Sequence, residues 1–129
     1  MKIVSQKEVD NVVKLSPVER YKYALKWIAD GEVIYTLTED GEFEISEVDG
    51  HQLFPVWSAP VFAELFAVGE WGNCKVQSFT LAEFESGILP LINENDYLLN
   101  VFPVNGRAGF VVELDEFLED LDKELDYYK

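Results

Sequence analysis

The 129 residues predict an α+β fold in a single globular domain, residues 1–129. Three observations carry that reading. Helix-start signals, a Ser or Thr followed three residues later by Glu, recur at Ser5, Ser16 and Thr80. Between residues 32 and 57, apolar residues alternate with polar ones and break at two acidic-Gly turns. From Glu113 onward, apolar residues return at helical spacing and close the chain. Helices flanking an alternating block are the pattern of helices packed on a mostly antiparallel sheet, here of about six strands in the order ααβββαβαββα.

The first helix is expected over about 5–14, with Ser5 and Glu8 as a capping box. Ser16-Pro17-Val18-Glu19 is a stronger start, because Pro suits the first helical position. The helix that follows places Val18, Tyr21, Leu25 and Ile28 on one face and ends at Asp30-Gly31, where Gly can take a left-handed cap. Glu32–Thr38, Glu42–Val48 and His51–Trp57 read as a three-stranded meander turned at Asp40-Gly41 and Asp49-Gly50. Pro55 cannot donate to a ladder, so the third strand should end there or lie on an edge. Ser58-Ala59-Pro60 opens a helix that buries Val61, Phe62, Leu65 and Phe66. Gly69 and Gly72 bound a loop, and Lys75–Phe79 is a short strand. Thr80 and Glu83 cap a helix with Leu81, Phe84 and Ile88 inside, which Pro90 must kink or restart. Tyr97–Phe102 and Ala108–Glu113 are strands joined through Pro103–Arg107 and its Asn105-Gly106 turn signal.

Charge narrows the classes of partner. The formal net charge is −15, but residues 1–30 hold six Lys and Arg against four Asp and Glu. The acidity therefore lies beyond residue 30. Direct binding to a nucleic-acid backbone is disfavoured, because phosphate affinity comes from cationic side chains. Anionic membranes are disfavoured for the same reason. No run approaches 18 apolar residues, and MKIVSQKEVD has no apolar stretch, so neither a membrane span nor a signal peptide is expected. A cytoplasmic location follows as the default. A lone Cys74 excludes an internal disulfide and a paired-cysteine zinc site.

The motifs Glu19-Arg20-Tyr21-Lys22-Tyr23, Asp40-Gly41, Pro55-Val56-Trp57 and Glu70-Trp71 resemble a bacterial family catalogued as domain of unknown function 2750. The Leu81–Leu91 helix, Val101-Phe102-Pro103 and the acidic C-terminus also fit, so the resemblance covers most of the chain from about Ser16. Ser58 stands where members of that family often have Pro. The resemblance implies a bacterial cytoplasmic protein and supplies no activity.

Catalytic motifs are missing. His51 is the only histidine, so a Ser-His-Asp or Cys-His unit would have to use it. It starts a strand and reads as exposed. Cys74 reads as an inert, half-buried thiol rather than a nucleophile. The acidic-Gly turns do not have calcium-loop spacing. No cofactor, no metal and no catalytic residue are expected, and enzymatic activity is the less favoured reading. Oligomeric state is not legible.

Two features point to binding. Trp57 and Trp71 each sit beside Pro or Gly, with Glu64, Glu70 and Arg107 as polar neighbours in the candidate site. Both Trp residues could equally close the core, and Arg107 could pair with a carboxylate. The terminal helix carries eight carboxylates and one Lys between Glu113 and Asp126. Leu114, Phe117, Leu118, Leu121, Leu125 and Tyr128 form its apolar stripe; Asp115, Glu119, Asp122 and Asp126 form an acidic one. Like charges four apart cost a helix roughly 0.2–0.5 kcal/mol per pair, so this face is either a solubilising surface or a docking face for a basic protein. The first reading is a non-enzymatic interaction module, immunity- or inhibitor-like by analogy. The alternative is a small-molecule binder or enzyme with a pocket near Trp57 and Trp71.

Overall fold

Seven strands in two mostly antiparallel sheets, with helices against them, give the α+β fold that the sequence predicts. The computed structural model describes residues 4–105 and 107–127. Tyr128, the last member of the apolar stripe, and Gly106 of the turn signal lie outside the described residues, as does the side chain of Glu70.

The local start signals operate as their chemistry requires. Helix α1 (Gln6–Val12) begins where the Ser5 hydroxyl accepts from the Glu8 N–H at 3.2 Å. Glu8 does not reach back to complete a box; its carboxylate accepts from the Tyr23 hydroxyl. Helix α2 (Pro17–Gly31) starts with Ser16 bonded to both the backbone and the side chain of Glu19. It buries Arg20, Tyr21, Ala24, Leu25, Ile28 and Ala29, while Val18 remains 44% exposed, contrary to expectation. The left-handed cap falls on Glu32, at φ 54°, whose N–H donates to Ile28 at 2.7 Å. Gly31 stays helical.

The expected meander is instead split between two sheets. Strand β1 (Val33–Glu39) turns at Asp40-Gly41 into β2 (Glu42–Phe43), and β3 (Ser46–Val48) turns at Asp49-Gly50 into β4 (His51–Val56). Both turns have positive φ at both residues, the geometry that matches strand twist in tight hairpins. The Glu44 N–H still donates to Leu37, but after it the chain leaves β1, and Ser46 pairs with Leu53 of β4. After α3 (Pro60–Phe66) and a 3-10 turn (Gly69–Trp71), β5 (Lys75–Thr80) pairs along β1, giving the order β2-β1-β5. Strands β6 (Leu98–Val101) and β7 (Phe110–Val112) complete the second sheet, β3-β4-β6-β7, in which β4 and β6 run parallel. Pro55 does not end its strand. It faces Asn100 of β6 and lies beyond Leu53, the last residue of β4 paired to β3, so its missing N–H interrupts no β3 ladder.

The sheets meet where Tyr35 and Trp57 exchange backbone hydrogen bonds of 3.0 and 2.9 Å. The Thr36 hydroxyl donates across the same seam to Pro55 at 2.6 Å. Beyond β5, the complete Thr80–Glu83 capping box opens α4 (Leu81–Glu83). A π turn over Phe84–Ile88 then leads into α5 (Leu89–Asn95), with Pro90 in its first turn. The helix is thus widened rather than broken before the residue that cannot donate. Helix α6 (Leu114–Asp126) lies against α2 and buries Leu114, Phe117 and Leu121, while Leu118 and Leu125 are half-buried. The Tyr21 hydroxyl anchors it by donating to Asp120 at 2.6 Å.

Arg20, which composition alone would leave on the surface, is fully buried. Its guanidinium donates to the carbonyls of Leu15 at 2.6 Å, Phe102 at 3.1 Å and Ala108 at 3.1 Å. Phe102 is equally buried and holds a left-handed φ of 60°, a costly conformation for a bulky side chain. Its N–H donates to Val56 at 2.8 Å. Gly109 also has a specific reason to be Gly: a Cβ there would stand 2.2 Å from the Val101 carbonyl oxygen.

Two stability outcomes follow from this packing. Leu25→Ala should cost about 2–5 kcal/mol in denaturant melts, as a truncation of the α2 core face. Arg20→Met should cost about 3–5 kcal/mol, because it leaves buried acceptors unpaired. Arg20→Lys should recover only part of this, since one ammonium cannot reproduce the planar fork.

Candidate functional site

Two adjoining clefts open beside the loop at 103–107. The larger, about 590 Å3, lies between α1, α3 and that loop. Its floor is apolar, with Val9, Phe62, Phe66 and Phe102, and its charged lining is Lys14, Arg107 and Asp10. The smaller, about 350 Å3, is lined by Val48, Val68 and Trp71 with Pro103 and Ala108. Phe66, Val104, Asn105 and Arg107 line both. The loop is shaped by paired hydrogen bonds between Val104 and Arg107 and by the Asn105 amide, which donates to the Leu65 carbonyl at 2.8 Å.

The structure separates the two tryptophans that the sequence suggested together. Trp57 is fully buried and lines neither cleft; its indole N–H donates to the Pro103 carbonyl at 3.0 Å. It supports the loop from beneath. Trp71 is half-buried on the 3-10 turn and forms a cleft wall. Phe66 joins them, with ring centroids 5.4 Å from Trp57 and 5.5 Å from Trp71. Glu64 is exposed on α3 and lines neither cleft, and the Glu70 position is known only by its backbone on the turn.

Arg107 is exposed and, among the described residues, makes no ion pair. That departs from the pairing with a carboxylate that its isolation in an acidic stretch suggests. Its charge is felt by Arg20: burial holds the Arg20 guanidinium below its ordinary pKa, and Arg107 pushes the same way. Leu65, expected inside, is 45% exposed; Val68 is 51% and Val48 49% exposed. These three aliphatics surround the Arg107 loop, and the helical pattern of α3 gave no signal for the exposure of Leu65.

The remaining candidates lie apart from these clefts. His51 is exposed at the start of β4. At the far end of β1, Glu39, Glu44 and Cys74 bring two carboxylate oxygens and a sulfur within 4.8 Å of one another. Burial raises the Glu44 pKa, and a hydrogen bond with Glu39 and that residue's charge raise it further. Burial raises the Cys74 thiol as well, and Glu44 and Glu39 add to the effect. A nucleophile or a thiolate ligand needs the opposite shift. On α6, Asp115, Glu119, Asp122 and Asp126 are all exposed, and Lys123 lies 3.6 Å from Glu119.

The Glu39–Glu44 pair gives a pH signature. A carboxyl whose folded pKa exceeds its unfolded value carries no penalty while both states are protonated. It destabilises the fold as pH rises through the folded value. Glu44→Gln should therefore raise the melting temperature at neutral pH, and the gain should vanish near about pH 4. Thermal melts of both proteins across that range are the check.

A search of curated proteins finds no match to this chain. Residues 21–121 match the family described as Protein of unknown function (DUF2750). That span includes Tyr21, Trp57, Trp71 and Arg107, and it runs from α2 through most of α6. No helix among the described residues is long and apolar enough to cross a membrane. With its Tyr21-Lys22-Tyr23, Pro55-Val56-Trp57 and Glu70-Trp71 segments inside the matched span, the chain belongs to the DUF2750 family.

Proposed function

We propose that the protein is a non-catalytic interaction module that holds a polypeptide partner in the paired clefts around Arg107. The observation that carries this is the exposed apolar set of Leu65, Val68 and Val48, flanked by half-buried Trp71. A contiguous apolar surface of this kind, built around one aromatic anchor, is characteristic of docking sites rather than of solvent-facing structure. Arg107 at its centre, which makes no ion pair among the described residues, sets the partner chemistry: an apolar segment that carries a carboxylate. In a chain of net charge −15, Arg107 forms no ion pair with a described carboxylate, although Asp10 lines the same cleft, and so it is available to one from outside.

A second reading places a basic partner on α6. It rests on the exposure of Asp115, Glu119, Asp122 and Asp126 while the apolar stripe faces inward. Such an association should slow as salt rises, because exposed charges are screened beyond a Debye length of roughly 8 Å.

Selection from a random peptide library separates the two. The wild-type protein should enrich peptides that combine an aromatic or aliphatic anchor with Asp or Glu. Arg107→Glu should exchange the acidic preference for a basic one, and Trp71→Ala should abolish enrichment. A consensus of Lys and Arg, lost when Asp115, Glu119 and Asp122 are replaced by Asn, Gln and Asn, would move the function to α6. Enrichment of neither class would refute the module. That triple replacement should leave the melting temperature unchanged or slightly higher, since it removes like-charge pairs on the helix.

A further inference from the structure

A third cleft, separate from the Arg107 loop, lies where the end of α2 meets the start of α3. It holds about 210 Å3. Three aromatic residues line it: Tyr23 and Trp27 from successive turns of α2, and Tyr35 from β1. Tyr23 and Trp27 meet at an angle of 59° with centroids 6.3 Å apart, so they form a corner rather than a stack. Asp30 and Ser58 supply polar groups.

Three independent features give this cleft a preference for positive charge. Aromatic rings present negative faces, and a cation within about 6 Å of a ring centroid is attracted to them. Asp30 adds a carboxylate at the rim, and it is exposed rather than used in the core. The cleft also lies at the C-terminal end of a 15-residue helix whose last turn has no basic residue, so the negative end of its dipole is not offset there. The Trp27 ring already shows this chemistry: the Lys26 ammonium stands 5.2 Å from its centroid, although Lys26 does not line the cleft.

Ser58 supplies the observation that points to a missing ligand. It is buried, and its Oγ is a buried side-chain polar atom with no hydrogen-bond partner among the described residues. Leaving such a group unmatched costs about 1–3 kcal/mol, so an orphan hydroxyl at a cleft calls for an external partner. A hydroxyl can accept from, or donate to, a polar group on a bound molecule.

We propose that the Tyr23–Trp27–Tyr35 cleft is a binding site for a small organic cation, an alkylated ammonium carrying a short hydroxyl or carbonyl arm. The rings enclose the ammonium head, Asp30 neutralises it, and Ser58 takes the polar arm. The size fits: a trimethylammonium head is smaller than the cleft, whereas a typical drug-sized ligand needs roughly 300–1,000 Å3. This site is independent of the peptide groove, and failure of either leaves the other standing.

Choline is a suitable probe, with its neutral carbon isostere dimethylbutanol as the control, each titrated into the full chain at constant ionic strength. Amide and indole NMR shifts report the site. Choline should saturate and move Trp27, Tyr35 and Ser58, while dimethylbutanol should bind about tenfold more weakly or worse. Asp30→Asn, a surface change, should weaken choline several-fold without lowering the melting temperature. Trp27→Ala should weaken it by about tenfold or more. The triple α6 replacement should bind choline as the wild type does, which separates the cleft from general attraction to an acidic surface. Equal binding of choline and dimethylbutanol, shifts confined to α6, or no saturation would each overturn the proposal.

Discussion

A single guanidinium ties the start of α2 to segments 82 and 88 residues away in sequence. Arg20 sits one turn into α2, and its three carbonyl partners belong to the α1–α2 junction and to the two sides of the 103–107 loop. Burying such a charge is unfavourable by several kcal/mol unless its donors are satisfied. Here it is offset by backbone acceptors, and those acceptors must then hold still. The left-handed turn at Phe102 is one consequence: the backbone there is fixed by a donor to Val56 on one side and the Arg20 fork on the other. The loop that follows inherits this fixed start, and Trp57 braces it from below through Pro103.

That anchoring explains why the apolar clefts open where they do. The loop is tied to Arg20 at its two sides and to the Leu65 carbonyl through Asn105, and beside it the Leu65 and Val68 side chains stay in solvent. The same tie keeps Arg107 close enough to Arg20 for the two charges to repel. Like charges so placed repel, and under the proposed function a partner's carboxylate at Arg107 would offset that repulsion. The groove would then favour an anion although the protein as a whole repels one, and selectivity would arise from that contrast.

The sequence disclosed what is local and concealed what is not. Ser5, Ser16 and Thr80 announced their helices because a cap needs only its next three residues. The two acidic-Gly turns announced their hairpins for the same reason. The split of residues 42–48 between two sheets could not be read, since it depends on which distant strand offers a partner after Glu44. Arg20 was legible only as part of a helical motif; its role rests on carbonyls 82 and 88 residues away. Trp57 and Trp71 had similar local settings, yet one is a core brace and the other a cleft wall. Ser58 stood out in the sequence by its place before a helix and by replacing a frequent Pro, but neither reveals that its hydroxyl has no partner among the described residues.

Charge is distributed over this fold with a purpose that net charge hides. The cationic Arg107 lies over an apolar floor, the anionic Asp30 lies beside aromatic rings, and the carboxylates of α6 occupy a face of their own. Each setting changes what a charge can do. Arg107 is exposed, and under the proposed function a docked partner would desolvate it in part and make its attraction stronger and more specific. On α6, the carboxylates of Asp115, Glu119, Asp122 and Asp126 are exposed and salt screens them, so they act weakly. In the α2 cleft, the rings do most of the attracting and the carboxylate adds direction. If the aromatic cleft binds a cation as proposed, the acidic field and the cleft would act in sequence: the first would raise the local concentration of positive ligands, and the second would select among them by fit.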